Sequence, residues 1–119
     1  MFVEFLDRVI DKVEGALGAA VIGMDGIAIE KRIVDPTVSI ETLAAEYASV
    51  LRSSSMTTSD LGFGALQEFV ISTDQRIMAI RMVTPEYFAF IFLHKDGNLG
   101  RARFELRKAQ LSLAKELVV

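Results

Sequence analysis

The chain has 119 residues, no cysteine and a single histidine, with 13 basic residues against 16 acidic ones and a net charge of −3. That length fits one domain spanning residues 1–119, and the missing cysteine excludes disulfides, iron–sulfur clusters and thiol chemistry. A lone histidine removes the usual zinc and histidine-base arrangements, and the acidic balance offers no electrostatic reason for nucleic-acid binding.

The residues are 51% apolar and the mean hydropathy is +0.37. Charged residues or glycine interrupt every apolar run before it reaches the roughly 20 residues of a membrane span. Met1-Phe2-Val3-Glu4 lacks the basic region that opens a signal peptide, so a cytoplasmic chain is expected. So apolar a chain is expected to cover part of its surface in an oligomer or complex.

In chain order, Phe2, Phe5, Leu6, Val9, Ile10 and Val13 predict an amphipathic helix from Phe2 to Leu17, with Gly15 and Gly18 bracketing its end. Ala19–Met24 reads as a buried strand. Asp25-Gly26 predicts a type I′ hairpin turn, and Ile27–Val34 returns as a second strand that becomes charged toward a partly exposed edge. Asp35-Pro36 breaks that strand, and Ser39 is placed to cap a long helix over Ile40–Leu61. Gly62-Phe63-Gly64 ends the helix. Strands follow at Leu66–Thr73, Arg76–Val83 and Tyr87–His94, joined by Asp74-Gln75 and Thr84-Pro85-Glu86. Tyr87–Leu93 is apolar at both parities, which predicts a strand covered on both faces. A last helix from Leu99 to Val118 turns Leu99, Ala102, Leu106, Ala109, Leu113 and Leu117 to the core. The resulting class is α+β: a three-layer sandwich with a five-stranded antiparallel sheet, ordered α-β-β-α-β-β-β-α, with the first and last helices on one face and the central helix on the other.

The central helix has two distinct sides. Ile40, Leu43, Ala44, Tyr47, Leu51, Ser54 and Thr58, widened by Val50 and Thr57, make the sheet-facing sector. Opposite them lie Thr42, Ala45, Glu46, Ser49, Arg52, Ser53 and Met56. These residues are mostly small, so a second backbone, such as the same helix of another copy, can approach closely.

No arrangement of side chains points to catalysis. His94 ends an apolar strand with no second histidine or nucleophile pattern, and Ser53-Ser54-Ser55 lies within a helix, without a nucleophile elbow or a base. Gly15, Gly18, Gly23 and Gly26 are interrupted by a strand and precede neither Lys-Ser/Thr nor a helix, so turn and packing roles account for them. Arg101, Arg103, Arg107 and Lys108 split into two groups on the wheel with Glu105 beside Arg101 and Lys108, which predicts a solvated face rather than a nucleic-acid site, with an acidic protein partner as the alternative. Phe104, Leu111 and Val118 fall on one line away from the core stripe of the last helix; they either meet a partner or pack against the first helix. Of the methionines, Met24, Met78 and Met82 are read as core fillers, and the wheel turns Met56 outward.

The element order, the hairpin Gly18–Glu30 (GAAVIGMDGIAIE), the Ser/Ala-rich second helix and Leu99-Gly100-Arg101-Ala102-Arg103 resemble the Roadblock family over essentially the whole chain. Its members include dynein light chains, lysosomal scaffold subunits and MglB-type partners of Ras-like GTPases. The resemblance implies a homodimer in which third strands meet edge to edge and central helices pack side by side, here through Leu66, Gln67, Phe69, Val70, Ile71 and Thr73 with Ala45 and Ser49. The strand itself agrees, because neither lysine nor proline protects it. The resemblance further implies a small GTPase engaged by Glu46, Arg52, Ser53 and Met56, with Phe104 and Leu111 as further contact candidates. No phosphate-binding loop is present, so the nucleotide belongs to the partner. No cofactor, metal, nucleic acid or membrane insertion is expected. The alternative reading is a small-molecule sensor of the PAS or GAF type, which requires a hollow core with convergent polar groups; strands filled with Phe, Ile and Met oppose it.

Overall fold

A computed structural model describes residues 2–117. The elements run α1 (Phe2–Lys12), β1 (Ala16–Gly23), β2 (Ala28–Ile33), α2 (Ile40–Asp60), β3 (Glu68–Ser72), β4 (Arg76–Thr84), β5 (Tyr87–His94) and α3 (Leu99–Leu117). All strand pairs are antiparallel, in the order β2-β1-β5-β4-β3. The sheet is therefore closed in the middle by β1 against β5, and β2 and β3 form its two rims.

Alternation along β5 separates two cores. Ala89, Ile91 and Leu93 join Ala19, Val21, Ile77 and Ala79 beneath α1 and α3, which contribute Phe5, Leu6, Val9, Ala102, Leu106 and Leu113. Phe88 and Phe90 join Ala20, Ile22, Met78 and Ile80 on the other face, beneath Ile40, Ala44, Ala48 and Leu51 of α2. Removing every one of these side chains from water is the dominant favourable term in holding the layers together.

Several boundaries differ from the sequence reading. Helix α1 stops at Lys12 rather than Leu17, because Gly15 takes φ +83° and Ala16 already pairs with Leu93 on β5. Ladder pairing has claimed the segment that periodicity assigned to the helix. The β1–β2 turn is not type I′: only Gly26 has positive φ (+88°), and Asp25 does not. The loop is three residues long, with Gly26 N–H donating to Gly23 O (2.8 Å) and Gly23 N–H to Ile27 O (3.0 Å), so only its last position needs the left-handed region. Asp25 instead accepts the Ile27 N–H at 3.1 Å.

Helix α2 begins as expected, with Ser39 Oγ accepting the Thr42 N–H at 3.2 Å. It ends in a Schellman pattern at Gly62 (φ +71°), with Phe63 N–H donating to Thr58 O (2.8 Å) and Gly62 N–H to Ser59 O (3.0 Å). Its buried line is Ile40, Ala44, Ala48 and Leu51, with Leu43 and Tyr47 half-buried; Val50 and Thr57 are exposed. The correction is physical. Alanines at the centre of the stripe let the helix lie close to the sheet, which narrows the covered sector and leaves its flanks in water.

Candidate functional site

The expected contact residues occupy one sheet rim and two helix faces. On the rim, strand β3 is shorter than Leu66–Thr73, and Leu66, Gln67 and Thr73 lie outside it. Leu66 is half-buried; Gln67 is exposed and extends the ladder only through its carbonyl, which accepts the Met82 N–H at 3.0 Å. The Thr73 hydroxyl is occupied by the β3–β4 turn, accepting from the N–H groups of Gln75 (3.2 Å) and Arg76 (3.0 Å). Within the strand, Phe69 and Ile71 lie opposite Ile80 and Met78, half-buried on the α2 side. Val70 lies opposite Ala79 on the α3 side and is 37% exposed. The outer side of β3 carries no ladder among the described residues, and the strand holds neither lysine nor proline.

A charged clamp fixes that rim to α3. Arg103 donates to both Glu68 carboxylate oxygens, at 2.7 and 2.9 Å, and Arg81 donates to Gln110 at 2.8 Å beside it. The hydrogen-bonded Arg103 guanidinium holds the Glu68 carboxyl below its usual range, opposed by partial burial and assisted by the charges of Arg103, Arg81 and Arg107. A carboxyl depressed in the folded state stabilises above its unfolded pKa and loses that contribution as pH falls through the folded one. Thermal stability is therefore expected to fall more steeply below pH 4.5, the ordinary glutamate value, in the wild type than in Arg103→Gln. Parallel melting curves in that acid range would refute the clamp.

Helix α2 turns Ala45, Glu46, Ser49, Arg52, Ser53 and Met56 to solvent, with Met56 67% exposed. Two of them are engaged within the chain. A Cβ on Gly26 would stand 3.3 Å from the Ala45 Cα, so the helix backbone at Ala45 already lies close against the β1–β2 hairpin. The Arg52 guanidinium donates to the Met24 carbonyl and ties the hairpin tip to the helix.

Phe104 and Leu111 lie on α3, across the sheet from α2, so the predicted contact residues form two surfaces rather than one. Phe104 is 55% and Leu111 75% exposed, and neither packs against α1; Val118 of the same predicted line lies outside the described residues.

Sequence reasoning missed Phe63, which is 76% exposed between two positive-φ glycines just beyond the end of α2. A large apolar residue outside every periodic stripe was the available signal. Among the described residues no cluster of His, Asp or Glu could hold a metal, no helix could cross a membrane, and His94 is the exposed last residue of β5, whose Nδ1 accepts the Asp96 N–H. The cleft between the α2 end and the β4–β5 turn, about 490 Å³, is lined by Ser55, Leu66, Met82 and Pro85 at the surface rather than inside the sandwich.

A helix pair and a single long helix on opposite faces of a sheet ordered 2-1-5-4-3 define the Roadblock fold. The chain is 31% identical to MglC from Myxococcus xanthus over 98% of both chains, with a TM-score of 0.69. It superimposes on a Roadblock/LC7 domain from Streptomyces avermitilis with a TM-score of 0.86 over 98% of this chain and 97% of that one, at 14% identity. A structure described as MglB with a tetrameric arrangement gives a TM-score of 0.83 at 20% identity, over 95% of this chain and 85% of that one. No family model and no curated protein matches the chain. Identity sustained along the whole of MglC, with this topology, places the chain in the Roadblock family.

Proposed function

We propose that this chain is a non-catalytic homodimeric interaction module that regulates or scaffolds a Ras-like small GTPase, its contacts made through β3 and the outer face of α2. The observation that carries this reading is the pairing of two unsatisfied surfaces: an unprotected strand rim and a long helix face of small residues that carries the exposed Met56. The rim offers free backbone donors and acceptors to a second copy. The helix face offers an apolar anchor with few charges to desolvate. Family membership supports the reading, and the tetrameric arrangement described for MglB supports its self-association part. The nucleotide would be the partner's, since the chain has no phosphate-binding loop.

Arg52 is a poor test residue, because reversing it also unties the hairpin tip. Ser53→Glu with Met56→Asp changes two exposed side chains that hold nothing else in the chain. This double variant is expected to fold normally by circular dichroism and to weaken capture of a Ras-like GTPase about 30-fold or more. Undiminished capture would move the binding surface off α2.

A further inference from the structure

The outward side of α3 is the remaining surface with a defined chemistry. The helix carries five cations against two carboxylates, a balance of +3 in a chain whose total is −3, which leaves −6 for the rest. One of the two carboxylates, Glu105, is withdrawn from solvent: it is 2% exposed and takes the Arg101 guanidinium at 3.0 Å. Glu105 thus pairs with Arg101 where the wheel placed it, and with Arg103 held by Glu68 the cations of the helix left exposed and unpaired among the described residues are Arg107, Lys108 and Lys115. At 100° per residue, Phe104, Leu111 and Lys115 stand at the centre of the outer arc, with Arg101 and Lys108 on one flank and Arg107 on the other. Arg101 and Lys108 lean over the Phe104 ring, 5.4 and 6.0 Å from its centroid. Arg107 and Lys108 form no ion pair among the described residues.

From this arrangement we propose that the α3 face docks on an anionic lipid bilayer. An exposed aromatic and an exposed leucine about 10 Å apart, flanked by cations on both sides, match what a headgroup layer takes: rings at the boundary, long basic side chains among the phosphates. The surface is convex, and the hollow it carries between Gly100, Arg103, Phe104 and Arg107 is about 240 Å³. That is below the roughly 300–1,000 Å³ of ordinary small-molecule clefts. A bilayer needs no such cleft.

The proposed dimer sharpens the argument, and this inference rests on that reading only for its valency. Helix α3 lies over β4, and Arg103 reaches β3. Joining two β3 rims would set the two α3 helices about 14 Å apart on the same face, at three strand spacings. With Arg103 neutralised by Glu68 each copy presents +2, so the charge presented doubles to +4, on the side opposite α2, and lipid and GTPase would not compete.

The test is flotation of the full chain with vesicles of phosphatidylcholine, alone or with about one-third phosphatidylserine. Wild type is expected to float only with the anionic vesicles, and less so as salt rises. Arg107→Gln with Lys108→Gln should lower partitioning about 25-fold, at about fivefold per cation, and Phe104→Ser with Leu111→Ser about tenfold. All four positions are at the surface, and circular dichroism verifies the fold. A wild type that light scattering shows to be monomeric, yet floats with phosphatidylserine, would remove the dimer and leave the lipid surface standing. Equal flotation with both vesicles, or an unaffected Arg107/Lys108 variant, would overturn it. So would retention on immobilised polyglutamate without flotation, which would make α3 an acidic-protein surface.

Discussion

Ile71→Lys is expected to convert the proposed dimer to monomer, raising the dissociation constant about 100-fold or more. Ile71 sits in the middle of a rim strand, opposite Met78 and half-buried on the α2 side. A lysine there must keep its ammonium in water, which an edge-to-edge pair of strands denies it. In an isologous interface each substitution enters twice, so about 1.5 kcal/mol per copy becomes about 3 kcal/mol per dimer. The monomer itself should survive, because the ladder to β4 lies on the other side of the strand. Light scattering across a dilution series reads the effect, with circular dichroism as the control for folding. A dimer that persists at wild-type concentrations would exclude the β3 rim as the interface.

Gly15→Ala is expected to cost about 3 kcal/mol of stability, the largest loss from a single methyl group in this chain. The alanine Cβ would stand 2.5 Å from the Gly97 Cα, and φ at this position is +83°. Both neighbours are backbone, and both are held: His94 N–H donates to Gly15 O at 2.8 Å, and Asn98 N–H to Glu14 O at 2.8 Å. Nothing flexible can yield, so steric overlap adds to the left-handed strain. Gly62→Ala supplies the control, since Gly62 has φ +71° but open space around it, and it should cost only about 1 kcal/mol. Chemical denaturation of both variants decides the matter. Equal losses would mean that the Gly15–Gly97 crossing is not tight.

Both predictions depend on close approaches, and these were the least legible part of the sequence. Element type was readable because periodicity records burial: the period-3.6 stripe of α3 and the double-sided apolar run of β5 both appear where expected. Caps were readable because Ser39 and Gly62 have local chemical reasons to be where they are. The end of α1 was not readable, because the competitor for residues 16 and 17 was a strand about 75 positions away. Glu105 was read correctly as Arg101's neighbour, but its burial was not legible, for a similar cause. A wheel places a carboxylate among cations but cannot show that packing against α1 takes it out of water.

The candidate surfaces divide along the same line. The unprotected character of β3 and the small residues of α2 are written in the residue types themselves. That Arg52 is committed to the Met24 carbonyl, Thr73 to a turn and Ala45 to the hairpin depends on contacts across the chain.

By itself the sequence determined which segments are helix and which strand, and that the sheet is antiparallel and covered on both faces. These follow from local periodicity and turn chemistry, which need no partner segment. Only the tertiary structure decided that β1 pairs with β5, that β3 is confined to Glu68–Ser72, and that Arg103 of α3 clamps it through Glu68. Strand neighbours and strand limits are set by which distant backbones find each other, and that free energy is long-range.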